Sequence, residues 1–146
     1  MKDLKDKVAI VTGSSSGVGA ATAQLLASLG CNLVINYNSN SAGADAVAKE
    51  CERSGVETLN IKANVASDDD CRSLVEQARR KWGRIDVLVN NAGTTKFMHH
   101  ANLDGLSAED FQNIYGVNVI GAYQMVRAVS EQMKSQASGG AIVNVA

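Results

Sequence analysis

Residues 7–19 read KVAIVTGSSSGVG: an apolar run, a Thr-Gly turn, three serines and two more glycines. The run has the length and β-branched content of a buried strand, and residues 20–29 then read as a helix stopped by Gly30 at its C′ position. Strand, glycine turn and helix make the first half of a βαβ unit, and the pattern recurs along the chain. CNLVINY (31–37) is a second strand, followed by a helix over 42–53 that puts Ala44, Val47, Ala48 and Cys51 on one face and ends at Gly55. TLNIKANV (58–65) is a third strand. Ser67 before Asp68, Asp69 and Asp70 is a helix start, because the hydroxyl can cap free N–H groups while the acids complement the positive end of the dipole. That helix is expected to run to Trp82 and close at Gly83. IDVLVNNAG (85–93) is a fourth strand, apolar enough for burial on both faces of a parallel sheet. After a loop, TTKFMHHANLDG, Ser107 and Asp110 open one long helix with Phe111, Ile114, Met125, Val129 and Met133 on one face, ended by Gly139 and Gly140. AIVNVA (141–146) is strand five. Four βα units and a fifth strand, without repeat or linker, predict an α/β doubly wound parallel sheet.

The first glycine turn has chemistry of its own. Gly13 permits a tight turn, Gly17 removes a Cβ where a phosphate would approach, and Gly19 allows close packing of the helix. The first-turn N–H groups, that of Val18 among them, would point at an anion with the helix dipole behind them, and Ser14, Ser15 and Ser16 add hydroxyl donors. A Gly/Ser turn can also do no more than link a strand to a helix. Its place at the carboxyl end of strand one favours the phosphate reading, since ligands of such sheets bind there.

Bulk properties narrow the partners. The chain has 146 residues, 45% hydrophobic and 20% charged, which is enough for a real core. Its formal charge is −1 and its basic residues are scattered, which argues against nucleic acid and anionic membrane. The N-terminal apolar run is too short for a signal peptide or a span, so a cytoplasmic protein is expected. Cys31, Cys51 and Cys71 are far apart, with no C-x-x-C pair, and suggest reduced thiols, semi-buried filler in their elements. His99 and His100 lack partners at metal-ligand spacing, so no metal is expected. Lys96 reads as a solvated loop lysine, Trp82 and Tyr115 as packing residues. No G-x-S-x-G elbow supports hydrolysis.

Three motifs together carry a family likeness. The glycines follow T-G-x-x-x-G-x-G (Thr12, Gly13, Gly17, Gly19), NNAG (Asn90 to Gly93) ends strand four, and VNVIGAY places Asn118 inside the long helix. The chain resembles the N-terminal part of the short-chain dehydrogenase/reductase family, and looks most like its 3-oxoacyl-acyl-carrier-protein reductases. The resemblance implies a Rossmann-type fold and an NAD(P)-dependent oxidoreductase that interconverts a carbonyl and a secondary alcohol by hydride transfer. It implies a dinucleotide across the strand ends, with residues 13–19 at the pyrophosphate, Asn38 and Ser39 near the adenine ribose, Asn64 and Val65 near the adenine, and Asn91, Ala92 and Gly93 beside the second ribose. Asn118 would be catalytic, on a local distortion whose backbone carbonyl holds a water of the proton relay; by its own chemistry it could also be a buried, satisfied amide between Gly116 and Gly121, and the other motifs favour the first reading.

The resemblance also sets cofactor and length expectations. NAD-preferring members carry an acid at the end of strand two, where this chain has Tyr37, so nothing there repels a 2′-phosphate; yet the basic residue many NADP-preferring members place before the second loop glycine is Ser16. Asn36, Asn38 and Ser39 could donate to that phosphate, and NADP is favoured modestly over NAD. The family's Asp-Val after strand three is Asn64-Val65 here, and an amide oxygen can still accept from the adenine amine. The family's catalytic Ser follows strand five and its Tyr-x-x-x-Lys lies on the next helix, and these 146 residues contain no Tyr-x-x-x-Lys. Residues 1–146 are therefore expected to be the dinucleotide-binding part of one domain, truncated after strand five and inactive alone, with a homo-oligomeric parent. A non-catalytic nucleotide-binding or scaffold module, complete at this length, is the alternative.

Overall fold

The computed structural model describes residues 4–146. Five strands, β1 (Val8–Val11), β2 (Asn32–Tyr37), β3 (Thr58–Lys62), β4 (Val87–Asn90) and β5 (Ala141–Asn144), form one sheet in the order β3-β2-β1-β4-β5. Every pairing is parallel. The helices α1 (Gly17–Ser28) and α2 (Ser41–Glu52) cover one face; α3 (Asp68–Trp82) and α5 (Ala122–Ser135) cover the other, with α4 (Ala108–Tyr115) leading into α5.

Strand periodicity divides the core in two. Ala9 and Val11 of β1 and Leu33 and Ile35 of β2 face α1 and α2, where Ala23, Ala27, Ala44 and Val47 meet them. Ile10, Val34 and Leu88 point the other way, onto Leu74, Val75, Met125 and Val129. The sheet is thus apolar on both sides, which a parallel sheet requires.

Most boundaries follow from local chemistry. Ser67 accepts a hydrogen bond from the Asp70 N–H, and α3 closes on Gly83 in the left-handed region at φ +69°. Ser107 and Asp110 form a reciprocal capping box at the start of α4. Two strands are shorter than their apolar runs: β3 stops at Lys62 and β4 at Asn90, and the residues beyond each leave the sheet and turn toward its carboxyl edge. Helix α1 starts at Gly17, earlier than the expected residue 20.

The long helix is not continuous. Residues Gly116–Gly121 form a π-helical segment between α4 and α5. Such a segment accommodates an extra residue, so the apolar stripe read from spacing slips out of phase across it. Met125 and Val129 are fully buried, whereas Phe111 is 64% exposed. The expected single face of Phe111, Ile114, Met125, Val129 and Met133 is therefore two faces.

At the amino ends of β1 and β4, the Asp86 carboxylate gathers three partners. It accepts from the Val8 N–H at 2.9 Å and from Arg84 at 2.7 and 2.6 Å, with Lys7 at 3.7 Å. Burial pushes its carboxyl pKa up, but the Arg84 and Val8 hydrogen bonds outweigh this and hold it below the usual value. A depressed folded pKa contributes stability that is full above the unfolded value near 4 and is lost as pH falls through the folded one. Asp86→Ala is expected to cost about 1–3 kcal/mol at pH 7, chiefly by leaving the Val8 N–H without its acceptor, since the part-exposed Arg84 guanidinium can be rehydrated. Urea unfolding at stepped pH should show this difference shrinking below pH 4.

Beyond the fold, no helix among the described residues is long and apolar enough to cross a membrane. All three cysteines are free and buried. Burial pushes the Cys31 thiol up to about 12 and those of Cys51 and Cys71 to about 11, so none is a thiolate at neutral pH.

Candidate dinucleotide cleft

The carboxyl ends of β1 to β4 open into one cleft of about 750 Å³. Its floor at β1 is the glycine turn. Gly13 sits at φ +62°, and a Cβ there would lie 2.8 Å from the Ala92 Cα, so only glycine permits this approach. Gly17, at φ +57°, differs: an added Cβ would meet nothing within 4 Å, because it would project into open space. Gly19 packs on the turn and Asn91, not on the sheet.

Helix α1 begins here with its N-terminus open. Asn40, Ser67 and Ser107 cap α2, α3 and α4 with side-chain hydrogen bonds, but Ser16 makes none at α1, and no acid stands in its first turn. Its uncapped N–H groups and dipole therefore remain available to an anion. Val18 on the first turn is 64% exposed.

The turn is held from two sides. Thr12 Oγ1 accepts from the N–H groups of Asn91 and Ala92, both at 3.0 Å, while Asn91 Nδ2 donates to the carbonyls of Thr12 and Gly13 at 3.0 and 3.2 Å. On the β2 side, Asn36 Oδ1 accepts from the Gly13 N–H at 3.0 Å, and its Nδ2 donates to the carbonyls of Ile61 and Ala63. Ser14 Oγ donates to the Val11 carbonyl at 2.7 Å and accepts from the Asn36 N–H.

Two sequence expectations change here. Ser14, read as a phosphate donor, is fully buried and its hydroxyl is spent inside the turn; it shapes the loop. Asn36, expected among the donors to a 2′-phosphate, is 2% exposed with its amide occupied. Ser15 and Ser16 do line the cleft. Of three adjacent serines, only tertiary contact separates the buried one from the others. The role of Asn36 had one signal, a polar residue inside an apolar strand run.

The remaining predicted positions gather around the same cleft. Tyr37, Asn38 and Ser39 form its wall at the end of β2, Asn64 and Val65 at β3, and Asn91, Ala92 and Gly93 at β4. Gln112 and Asn113 of α4 close the far side, and spacing alone gave no hint of them. Asn118 lies in the π-helical segment, so a distortion is present. Its side chain is exposed and clamps Thr94 from both ends: Oδ1 accepts from the Thr94 N–H at 2.8 Å and Nδ2 donates to the Thr94 carbonyl at 3.0 Å. The buried-amide alternative does not hold.

Lys96, expected to be solvated, pairs with Asp110 at 2.7 Å. That ammonium and the Ser107 N–H pull the Asp110 carboxyl down to about 2 and tie the loop after β4 to the start of α4. His99 and His100 are exposed, and among the described residues no three metal-ligating side chains converge.

The chain matches a family model described as short chain dehydrogenase over residues 7–146. It is 41% identical over 145 residues to a 3-oxoacyl-[acyl-carrier-protein] reductase of Synechocystis, covering 99% of this chain and 57% of that one. An uncharacterized oxidoreductase of Methylorubrum extorquens is 40% identical over 145 residues, at 99% and 56% coverage. A short chain dehydrogenase from Burkholderia cenocepacia, solved in complex with NADP, superposes with a TM-score of 0.88 at 33% identity, covering 98% of this chain and 56% of that one. The chain thus spans little more than half the length of these relatives.

Proposed function

Residues 7–146 belong to the short-chain dehydrogenase family, and from that membership we propose that they are the dinucleotide-binding part of an NAD(P)-dependent oxidoreductase interconverting a carbonyl and a secondary alcohol. The observation that carries the reading is the uncapped N-terminus of α1 opening into a cleft that runs along the ends of four strands. A dinucleotide is long, flat and anionic at its centre. It fits with its pyrophosphate on residues 13–19, its bases lying toward β3 and β4. NAD(P), when bound, would supply the hydride acceptor or donor at its nicotinamide.

The chain's own residues supply binding and position. Thr12 and Asn91 lock the pyrophosphate loop to the strand end that would meet the nicotinamide-side ribose. Asn118 fixes Thr94, and so the start of the loop under which a substrate would enter. Its side chain being spent on this clamp, any part in a proton relay falls to its backbone carbonyl on the π-helical segment. The parent would be a homo-oligomer, a reading supported by Phe111, Tyr115, Val119 and Tyr123, which are exposed at helical spacing along α4 to α5. It would act on a small carbonyl or alcohol in the cytoplasm, without nucleic acid or membrane.

NADP is favoured over NAD. Tyr37, Asn38 and Ser39 offer no carboxylate at the end of β2, and the first turn of α2 has none. In the protein as its gene encodes it, Tyr37→Asp is expected to shift the ratio of kcat/KM for NADPH over NADH at least tenfold toward NADH. An introduced carboxylate accepts from ribose hydroxyls and repels a 2′-phosphate. Absorbance at the nicotinamide band, with a panel of ketones and 3-oxoacyl thioesters, reads both activity and preference; no turnover with any of them would contradict the function.

A further inference from the structure

Past Val11, the glycine turn is joined to β2 through Asn36. The backbone pairing of β1 with β2 runs from Val8 opposite Asn32 to Val11 opposite Ile35 and ends there. From that point the Ser14 N–H donates to the Asn36 carbonyl at 2.9 Å, and the Asn36 N–H donates to Ser14 Oγ at 3.0 Å. The Gly13 N–H donates to Asn36 Oδ1 at 3.0 Å. The other end of the same amide crosses to the third strand, where Nδ2 donates to the Ala63 carbonyl at 3.0 Å and to that of Ile61 at 3.3 Å. An N–H can face only the oxygen and a carbonyl only the nitrogen, so these contacts hold the amide in one orientation. Gly13, Asn36 and Ala63 all line the cleft.

Pairing of β2 with β3 does not require this side chain, since the backbone register runs unbroken from Leu33 opposite Thr58 to Tyr37 opposite Lys62. What the amide adds is a fixed distance between Gly13 and Ala63, two residues that lie beyond the ends of their strands. On its other side the turn is held to β4 by Thr12 and Asn91. We propose that Asn36 is a positioning residue of the dinucleotide site: it sets the glycine turn in register with the wall that begins at Ala63, so that the two segments meet one ligand together. The proposal rests on the dinucleotide reading above. Only a side chain of this length that accepts at one end and donates at the other makes both contacts. A carboxylate at this depth, where Asn36 is 2% exposed, would turn an oxygen on the Ile61 and Ala63 carbonyls.

The test uses the gene-encoded protein with two substitutions. Asn36→Val keeps a strand-forming side chain and removes both ends of the amide, whereas Asn36→Thr keeps a hydroxyl that serves one of them. Calorimetry below the melting transition gives Kd for NADPH and NADH, and steady-state rates give kcat and the KM for cofactor. Asn36→Val should raise Kd and KM tenfold or more, and Asn36→Thr about 3- to 10-fold, the worth of one neutral hydrogen bond. At saturating cofactor kcat should fall less than threefold, because the Thr12 and Asn91 side of the turn is untouched. A purely structural role predicts the opposite split: a lower melting temperature and active fraction, hence a lower apparent kcat, with Kd and KM unmoved. A Kd within threefold of wild type, or a kcat lowered more than threefold, would overturn the proposal and leave dinucleotide binding intact. If Asn36→Val shows no melting transition, Asn36→Thr decides by the same limits. Failure of the wild type to bind either cofactor would overturn the dinucleotide reading and this proposal with it.

Discussion

Gly17→Val is expected to raise the Kd for NADPH and NADH by 100-fold or more while leaving the protein folded. The two halves of that expectation come from different facts. No protein atom lies within 4 Å of the position a Cβ would take, so the substitution creates no internal clash. Its cost to the fold is the left-handed backbone at φ +57°, about 1–2 kcal/mol for a residue with a Cβ. The same branched side chain would fill the space through which a pyrophosphate must approach the uncapped N–H groups of α1. Those charge-assisted hydrogen bonds, together worth several kcal/mol, would then be lost. Calorimetry with a thermal melt on the same sample separates the effects. Unchanged affinity would place the anion elsewhere. Gly19→Val is the useful contrast: its Cβ would overlap the Asn91 amide and the Gly13 carbonyl, and it should fail by unfolding.

The second large effect concerns the 146 residues as an isolated polypeptide, which are expected to self-associate. Strand β5 pairs with β4 on one side only, so its other edge presents free N–H and C=O groups. All four of its residues are exposed, and Ile142, Val143 and Val145 are 40–50% accessible. Phe111 and Tyr115 of α4 and Val119 and Ile120 of the π-helical segment are exposed as well. A strand with an open edge and apolar faces is a template for another copy of itself. Size-exclusion chromatography with light scattering should show oligomers or aggregate. Lys at positions 142 and 143 together should shift the population toward monomer, and a clean wild-type monomer would refute the expectation.

How much of this was legible in the residues depends on the range of the interaction concerned. The capped starts of α3 and α4 were readable because cap and acceptor are three residues apart: Ser67 with Asp70, Ser107 with Asp110. The parallel sheet was readable because burial on both faces leaves unbroken apolar runs such as VAIV and VLV. The π-helical segment left no trace in periodicity, since the stripe from Phe111 to Met133 looks continuous when every residue is counted at the α-helical angle, and the extra residue that shifts it is set by the backbone. In SSS the chemistry is identical at each position, and what singles out Ser14 is Asn36, brought beside it by pairing of β1 with β2. The Lys96 to Asp110 pair was missed for the same reason, as a loop fold carries the lysine back to a helix start.

The bonds that tie Thr12 to Asn91 and Ala92 have a consequence for the order in which the chain folds. They span 79 and 80 residues, and β1 must wait for β4 before either can form. Contacts so distant in sequence are slow, because the intervening chain must be ordered before they repay it. The pairs β1 with β2 and β2 with β3 can assemble as soon as their helices are made. Until Ala92 has left the ribosome, however, the glycine turn has no anchor on its β4 side. Nucleotide can therefore stabilise only the late stages of folding, and a nascent chain stalled before residue 92 holds β1 to β3 and their helices but not the anchored glycine turn that a dinucleotide would select.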